Sequence, residues 1–164
     1  MSVIVWIVEA TWPACVDATA GHVAPDTDIV LLHVTAQDVP AAAHHAYTRL
    51  LGRGHRERDP GTRLEQLAAT SAQEMLDAAA ARLGRACTRW QRTGRPEREV
   101  VAAADGAELL IVARDGDLTH LGPKSIGPVS RFVVGHAACP VLLVWPQTAP
   151  ALTTIPPPPQ HDHP

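Results

Sequence analysis

One segment in the second half of the chain carries the residues best suited to bind a charged ligand. An apolar run at 107–113 is followed by a loop containing Gly116 and Gly122, and Gly127 then opens a segment of helical character. A loop between the carboxyl end of a parallel strand and the free N–H groups of a helix is where α/β proteins bind phosphate. Glycine suits such a loop because it lets the backbone approach an anion closely. The segment therefore predicts an anion-binding loop.

The charged and helix-breaking residues of this segment act in opposite directions. Three residues supply positive charge: Arg114, Lys124 and Arg131. The N–H groups of Val129 and Ser130 are also available to an anion, whereas Pro128 lacks an N–H where one donor is expected. Two interpretations stay open, a proline that only starts a helix and a modified anion site. Gly127 either caps the helix or contacts phosphate.

Histidine and cysteine do not have the spacing of a metal or nucleophilic site. His44 and His45 are adjacent, so on a helix they point about 100° apart and are poorly placed to bind one metal ion. Cys15 and Cys139 have no base at motif spacing, which favours core thiols over nucleophiles. We expect no metal site and no catalytic residue.

The composition indicates one water-soluble domain. The chain has 164 residues, of which 46% are hydrophobic and 4% aromatic, so the core must be aliphatic. A formal charge of −3 gives no long-range attraction for nucleic acid or an acidic membrane surface. The three cysteines lack a C-x-x-C pair, which predicts buried, reduced thiols. The apolar opening at 2–8 is too short for a signal peptide or a membrane span, and a cytoplasmic location is expected.

The loop needs strands and helices to position it, and the pattern supplies both. Four apolar runs predict strands buried on both faces: 3–9, 28–34, 107–113 and 140–145. A weaker alternating run at 86–92 predicts an outer strand. Short helices are predicted at 12–22, 96–104 and 128–138. The alternation predicts an α/β fold, an open five-stranded parallel sheet with helices on both faces.

The longest predicted helix begins at Asp59 and Pro60 and stops at Gly84. Its apolar face consists of residues three or four apart: Leu64, Leu67, Ala68, Ser71, Met75, Leu76, Ala79 and Leu83. Two segments fall outside the alternation. Residues 36–58 are predicted as an insertion over the carboxyl edge of the sheet. Residues 147–164, rich in proline and histidine, are predicted as a flexible tail, which leaves 1–146 as the α/β domain.

The segment from Gly127 to Val144 resembles the C-terminal signature of the universal stress protein family. In that signature a glycine and a small hydroxyl residue open the last helix, and His-Ala-x-Cys-Pro-Val leads into the last strand. Element order and length agree with the family over residues 3–145. The resemblance implies a Rossmann-like sheet of strand order 3-2-1-4-5, with the ligand between the first and fourth strands.

ATP-binding members of that family carry Gly-x2-Gly-x9-Gly followed by Ser or Thr. Counted back from Gly127, the first two glycines correspond to Arg114 and Asp117. A one-residue insertion in the loop places Ala113 and Gly116 there instead, and both alignments stay open. The motif is therefore degenerate in either case.

The departures from the motif weaken phosphate binding. Pro128 replaces the hydroxyl residue and removes an N–H, and each lost hydrogen bond to phosphate costs about 1.5 to 3 kcal/mol. Asp115 and Asp117 add repulsion unless Mg²⁺ lies between them and the phosphates. On the other side of the site, the resemblance places Glu9 against adenine or ribose, with Thr11 close by. Glu9 has an alternative role as a helix cap.

Three hypotheses follow for function. The first is a non-catalytic universal-stress-like module that responds to a nucleotide or another small molecule, with ATP or another adenine nucleotide, and Mg²⁺, as ligand. Its expected contacts are Glu9, Thr11, Val34 as an apolar wall for the base, Ala113, Arg114, Gly116, Lys124, Gly127, Val129 and Ser130. The second is a homodimer, paired through 140–145 as the resemblance implies, that does not bind ATP and acts on a protein partner. The third and least expected is a weak ATPase.

Overall fold

Five parallel strands form one sheet in the computed structural model, which describes residues 1–38 and 60–159. They are β1 (Ser2–Trp6), β2 (Asp28–Ala36), β3 (Thr88–Gly94), β4 (Leu109–Ala113) and β5 (Val141–Val144). The strand order is β3-β2-β1-β4-β5, and every pairing is parallel. The predicted α/β class and the predicted strand order are confirmed.

Within the described residues, four helices cover the sheet. They are α1 (Trp12–His22), α2 (Pro60–Leu83), α3 (Pro96–Ala103) and α4 (Pro128–His136), and short 3-10 turns lie at Pro123–Ser125 and Leu152–Thr154. The helices α1, α3 and α4 each have a proline in the first two positions, where its missing N–H costs no helical bond. Gly84, with a φ of 68°, ends α2 in the left-handed conformation that favours glycine.

The core has two layers, one on each face of the sheet. Successive residues of β1 point to opposite faces, so Val3 and Val5 pack with α1 and α2 while Ile4 and Trp6 pack with α3 and α4. Burial on both faces is the reason that β1 is apolar at every position from Val3 to Trp6. The predicted end of β1 was residue 9. In the structure β1 ends at Trp6, because the chain then turns into α1.

The helix α2 buries mainly its second half. Its buried residues are Gly61, Ala72, Leu76, Ala79, Ala80 and Leu83. Leu76 is 1% exposed, whereas Leu64 and Leu67 are 37% and 67% exposed. The predicted apolar face therefore includes two leucines that the structure exposes. Leu67 lies about 180° around the helix from Leu76, on the side opposite the core. The predicted cap at Asp59 lies outside the described residues.

The three cysteines are free thiols in different environments. Cys15 is fully buried between α1 and the sheet, and burial raises the pKa of its thiol to about 12. Cys87 and Cys139 are half-buried, so the expected full burial holds for Cys15 alone. The two partly accessible thiols lie at the beginning of β3 and of β5, the outer strands.

Several predicted features fall wholly or partly outside the described residues. The insertion at 36–58 is described only at 36–38, and His44 and His45 lie beyond it. The hydroxyl of Thr154, in the tail, accepts from the N–H of Leu121, in the β4 loop, at 3.0 Å. The mobility of 147–164 and the domain boundary at 146 stay predictions. Among the described residues, no helix is long and apolar enough to cross a membrane.

Candidate functional site

The carboxyl ends of β1 and β4 lie side by side at one edge of the sheet. β1 pairs with β2 on one side and with β4 on the other, so the strand order reverses between β1 and β4. Ligands of open α/β sheets bind in the crevice that such a reversal leaves at the strand ends. The segment that leaves β1 and the loop that leaves β4 both begin at this edge, as the sequence predicted.

The loop between β4 and α4, residues 114–127, is closed on itself by backbone hydrogen bonds. The N–H of Gly116 donates to the Ser125 carbonyl at 2.9 Å, and the N–H of Asp117 donates to the Lys124 carbonyl at 2.8 Å. The N–H and the hydroxyl of Ser125 both donate to the Gly122 carbonyl, at 3.1 and 2.6 Å. These donors are therefore used within the loop and do not face a ligand.

Gly116 is the residue on which this closure depends. A Cβ atom at this position would lie 2.3 Å from the Lys124 carbonyl oxygen and 2.9 Å from the Ser125 carbonyl carbon. No side chain fits there without moving backbone. Of the two alignments with the ATP motif, this contact supports the one that places Ala113 and Gly116 at the first two glycines.

The start of α4 is capped by the carboxylate of Asp115. Its Oδ1 accepts from the Gly127 N–H at 2.7 Å, and its Oδ2 accepts from the Ser130 hydroxyl at 2.9 Å. A negative charge is favoured there by the helix dipole. A Cβ on Gly127 would lie 2.8 Å from Oδ1, so glycine is needed for the carboxylate to come this close.

This role of Asp115 is not evident from the sequence, in which the residue counts only as a source of repulsion. An indirect signal was present, because Gly127 stands at the cap position of α4 without any side chain to accept a bond. An acidic residue elsewhere in the loop was the remaining means of satisfying the helix start. Gly127 lies at the cap position of α4, as the first alternative predicts. Its N–H, which a phosphate contact would use, donates to Asp115.

The arginines of the segment also bond within the protein. The Arg114 guanidinium lies 4.6 Å from the centre of the Trp145 ring and donates to the Ser125 hydroxyl, and its Nε is buried without a hydrogen-bond partner. The Arg131 guanidinium donates to the carbonyls of Pro123 and Ile126, at 3.2 and 3.1 Å. Both side chains hold the loop against its neighbours. Lys124 and Arg131 are exposed, whereas Arg114 is half-buried.

The β1 side of the crevice presents Glu9 to solvent. Thr11, 9% exposed, stands at the cap position of α1, and its N–H and that of Trp12 both donate to the Val8 carbonyl, at 3.0 and 2.9 Å. In the described part of the chain, the Glu9 carboxylate accepts no hydrogen bond from α1. The alternative role of Glu9 as a helix cap therefore gains no support. Val34 is 7% exposed and packs in the layer beneath α3, two residues before β2 ends.

A model of the universal stress protein family matches residues 18–144 of the chain. The chain belongs to the universal stress protein family. The match runs from the second half of α1 to the end of β5 and includes the whole β4 loop, while β1 precedes it. No curated protein sequence matches the chain.

Several solved structures have the same fold as this chain. The hypothetical protein MJ0577 is 16% identical with a TM-score of 0.65, over 90% of this chain and 98% of that one. A universal stress protein family protein from Arabidopsis thaliana with AMP bound is 19% identical with a TM-score of 0.55, over 88% and 92%. A universal stress protein in complex with cAMP is 18% identical with a TM-score of 0.54, over 90% and 98%.

Metal-binding groups do not gather in the part of this family member that the structure describes. Within residues 1–38 and 60–159, no cluster of three or more His, Cys, Asp or Glu side chains is placed to hold a metal ion. Asp117, suggested as a Mg²⁺ contact, accepts from the hydroxyl and the N–H of Thr119, which lowers the pKa of its carboxyl. His120 lies 3.3 Å from the same carboxylate.

Proposed function

We propose that this universal stress protein is a non-catalytic module that responds to an adenine nucleotide bound between the ends of β1 and β4. The observation that carries the proposal is the β4 loop, which Gly116 closes and which delivers the start of α4 to the point where the strand order reverses. Two proteins of the same fold, the Arabidopsis protein with AMP and the protein with cAMP, bind adenine nucleotides.

The residues at this edge suit the parts of such a ligand. Glu9 is an exposed carboxylate at the end of β1, able to accept from ribose hydroxyls or the adenine amino group. Lys124 is an exposed cation on the loop, suited to phosphate. The first-turn N–H groups of Val129 and Ser130 have no helical carbonyl to bond and are available to an anion. Mg²⁺ that enters with the nucleotide would neutralise part of the phosphate charge.

Glu9→Ala is expected to weaken AMP binding about tenfold or more, because it removes a charged hydrogen-bond acceptor. Calorimetry against AMP, ADP and ATP measures the effect, and mass spectrometry of freshly purified protein identifies any ligand carried along. Glu108→Ala is the matched control, since Glu108 is an exposed carboxylate at the opposite end of β4. If no adenine compound co-purifies and none binds below millimolar concentrations, the nucleotide proposal is wrong.

A second candidate function is a homodimer that does not bind ATP and acts through protein contacts. The observation that favours it is β5, an edge strand whose four apolar residues are all only half-buried. The carbonyls of Pro140 and Val144 bond to β4, so by the alternation of a parallel ladder the backbone groups of Val141 and Leu143 face the open edge. An apolar strand with unpaired backbone groups is suited to pairing with a second copy.

If the second candidate function holds, the native protein should sediment as a dimer at micromolar concentration. The Leu143→Pro variant should sediment as a monomer. Proline removes an edge N–H without removing a bond to β4, so it blocks pairing between copies. Circular dichroism checks that the variant keeps its fold. A native protein that sediments only as a monomer would rule out the dimer.

A further inference from the structure

The position where a phosphate would meet α4 already holds an anion of the protein itself. The Asp115 carboxylate takes the Gly127 N–H and the Ser130 hydroxyl, with both distances below 3.0 Å. Gly127 is buried and Ser130 is 2% exposed, so both donors lie at the floor of the site rather than at its surface. A phosphate could use these two donors only after the carboxylate had left.

The loop offers no replacement donors at the same place. Pro128 has no N–H, and the N–H groups of Gly116, Asp117 and Ser125 bond to carbonyls of the loop. The remaining donors are the N–H groups of Val129 and Ser130, which already lie next to the carboxylate. A ligand phosphate would therefore gain fewer hydrogen bonds here than at an uncapped helix start.

The charge of Asp115 is also not neutralised by its surroundings. Arg114 stacks on Trp145 and Arg131 bonds to loop carbonyls. In the described part of the chain, no lysine or arginine forms an ion pair with Asp115. Asp115 is itself exposed, so a second anion brought to the start of α4 meets this negative charge at close range but partly screened by solvent.

We propose that Asp115 is a specificity-determining residue, an internal anion that occupies the phosphate position so that the site takes adenosine or an adenine monophosphate in preference to a polyphosphate. The adenosine part of this inference rests on the proposed function, and the phosphate part does not. Each added phosphate group brings more negative charge, and the two donors at the start of α4 stay occupied by the Asp115 carboxylate. The order of affinity is therefore adenosine, then AMP, then ATP.

The phosphate part is tested with inorganic pyrophosphate, which contains no adenine. Asp115→Ala vacates the two donors, and calorimetry should show pyrophosphate binding about tenfold or more tighter than to the native protein. Asp117→Asn is the matched control, because it removes the same charge from the same loop and leaves the start of α4 capped. Equal pyrophosphate binding by native protein and Asp115→Ala overturns the proposal, and so does an equal gain in Asp117→Asn.

A second variant protects the test against loss of the helix cap. Asp115→Asn keeps the shape and an acceptor for the Gly127 N–H but removes the charge, so it should fold where the alanine variant does not. Its pyrophosphate affinity must exceed that of the native protein and of Asp117→Asn for the proposal to stand. If it does not, Asp115 is only a structural cap.

The adenosine arm separates this inference from the proposed function. Adenosine affinity should be the same in native protein and Asp115→Ala. ATP affinity should be higher in Asp115→Ala than in native protein. If adenosine and AMP bind to neither protein but pyrophosphate still binds more tightly to the variant, the nucleotide function fails and the role of Asp115 stands. If native protein prefers ATP to adenosine, the proposed specificity is wrong.

Discussion

Leu76→Ala should lower the free energy of unfolding by about 2 to 5 kcal/mol, as large-to-small changes in a packed core do. Leu76 is 1% exposed and lies in the core layer that α1 and α2 form with one face of the sheet. Removing its branched side chain loses buried apolar surface and leaves a cavity that the rigid sheet cannot close. Urea unfolding followed by circular dichroism measures the change.

Leu67→Ala on the same helix is the matched control. Leu67 is 67% exposed, so the substitution should change the free energy of unfolding by less than about 0.5 kcal/mol. Leu67 lies nine residues before Leu76, which places it about 180° around the helix, on the side opposite the core. Equal losses at Leu67 and Leu76 would mean that both sides of the helix are packed, contrary to the structure.

Gly116→Ala should destabilise the protein by about 1 to 3 kcal/mol and displace the β4 loop. The cause is space, because the new Cβ would lie 2.3 Å from the Lys124 carbonyl oxygen and would force apart the two sides of the loop. The bonds that link Gly116 to Ser125 and Asp117 to Lys124 would lengthen or break. Thermal unfolding measures the stability, and amide exchange at Ser125 reports the opening of the loop.

Gly135→Ala provides the comparison for this substitution. Gly135 lies in α4 with nothing within 4 Å of an added Cβ, so alanine should stabilise the helix, by about 0.5 to 1 kcal/mol. Opposite signs at Gly116 and Gly135 would separate a spatial requirement from the general effect of glycine. A neutral or stabilising Gly116→Ala would show that the loop is not closed as described.

The sheet was predictable because its physical requirements are local. A strand buried on both faces has a continuous apolar run, and β1, β2 and β4 contain such runs at 3–6, 29–32 and 109–113. The prolines that start α1, α3 and α4 mark helix starts for an equally local reason, since their fixed φ and missing N–H fit the first turn. The strand order required the resemblance to the family.

The candidate site was predictable only in outline. Its place at the ends of β1 and β4 followed from the strand order, and Gly116 and Gly127 were recognised as glycines of the loop. The bond between Asp115 and the start of α4 spans 12 residues, and the contact of Arg114 with Trp145 joins the ends of two strands. No local pattern encodes such contacts, because they depend on where the loop folds back.

By itself, the sequence determined that this chain forms a parallel α/β sheet of the universal stress protein family, with a loop after the fourth strand at its ligand-binding edge. Only the tertiary structure decided how that loop uses its donors. The charges that looked suited to a ligand are partly used inside the protein, because Asp115 reaches α4 and Arg114 reaches Trp145 across the fold. Hydrophobic periodicity is a property of neighbouring residues, whereas the satisfaction of a helix start depends on whichever acceptor the folded chain brings to it.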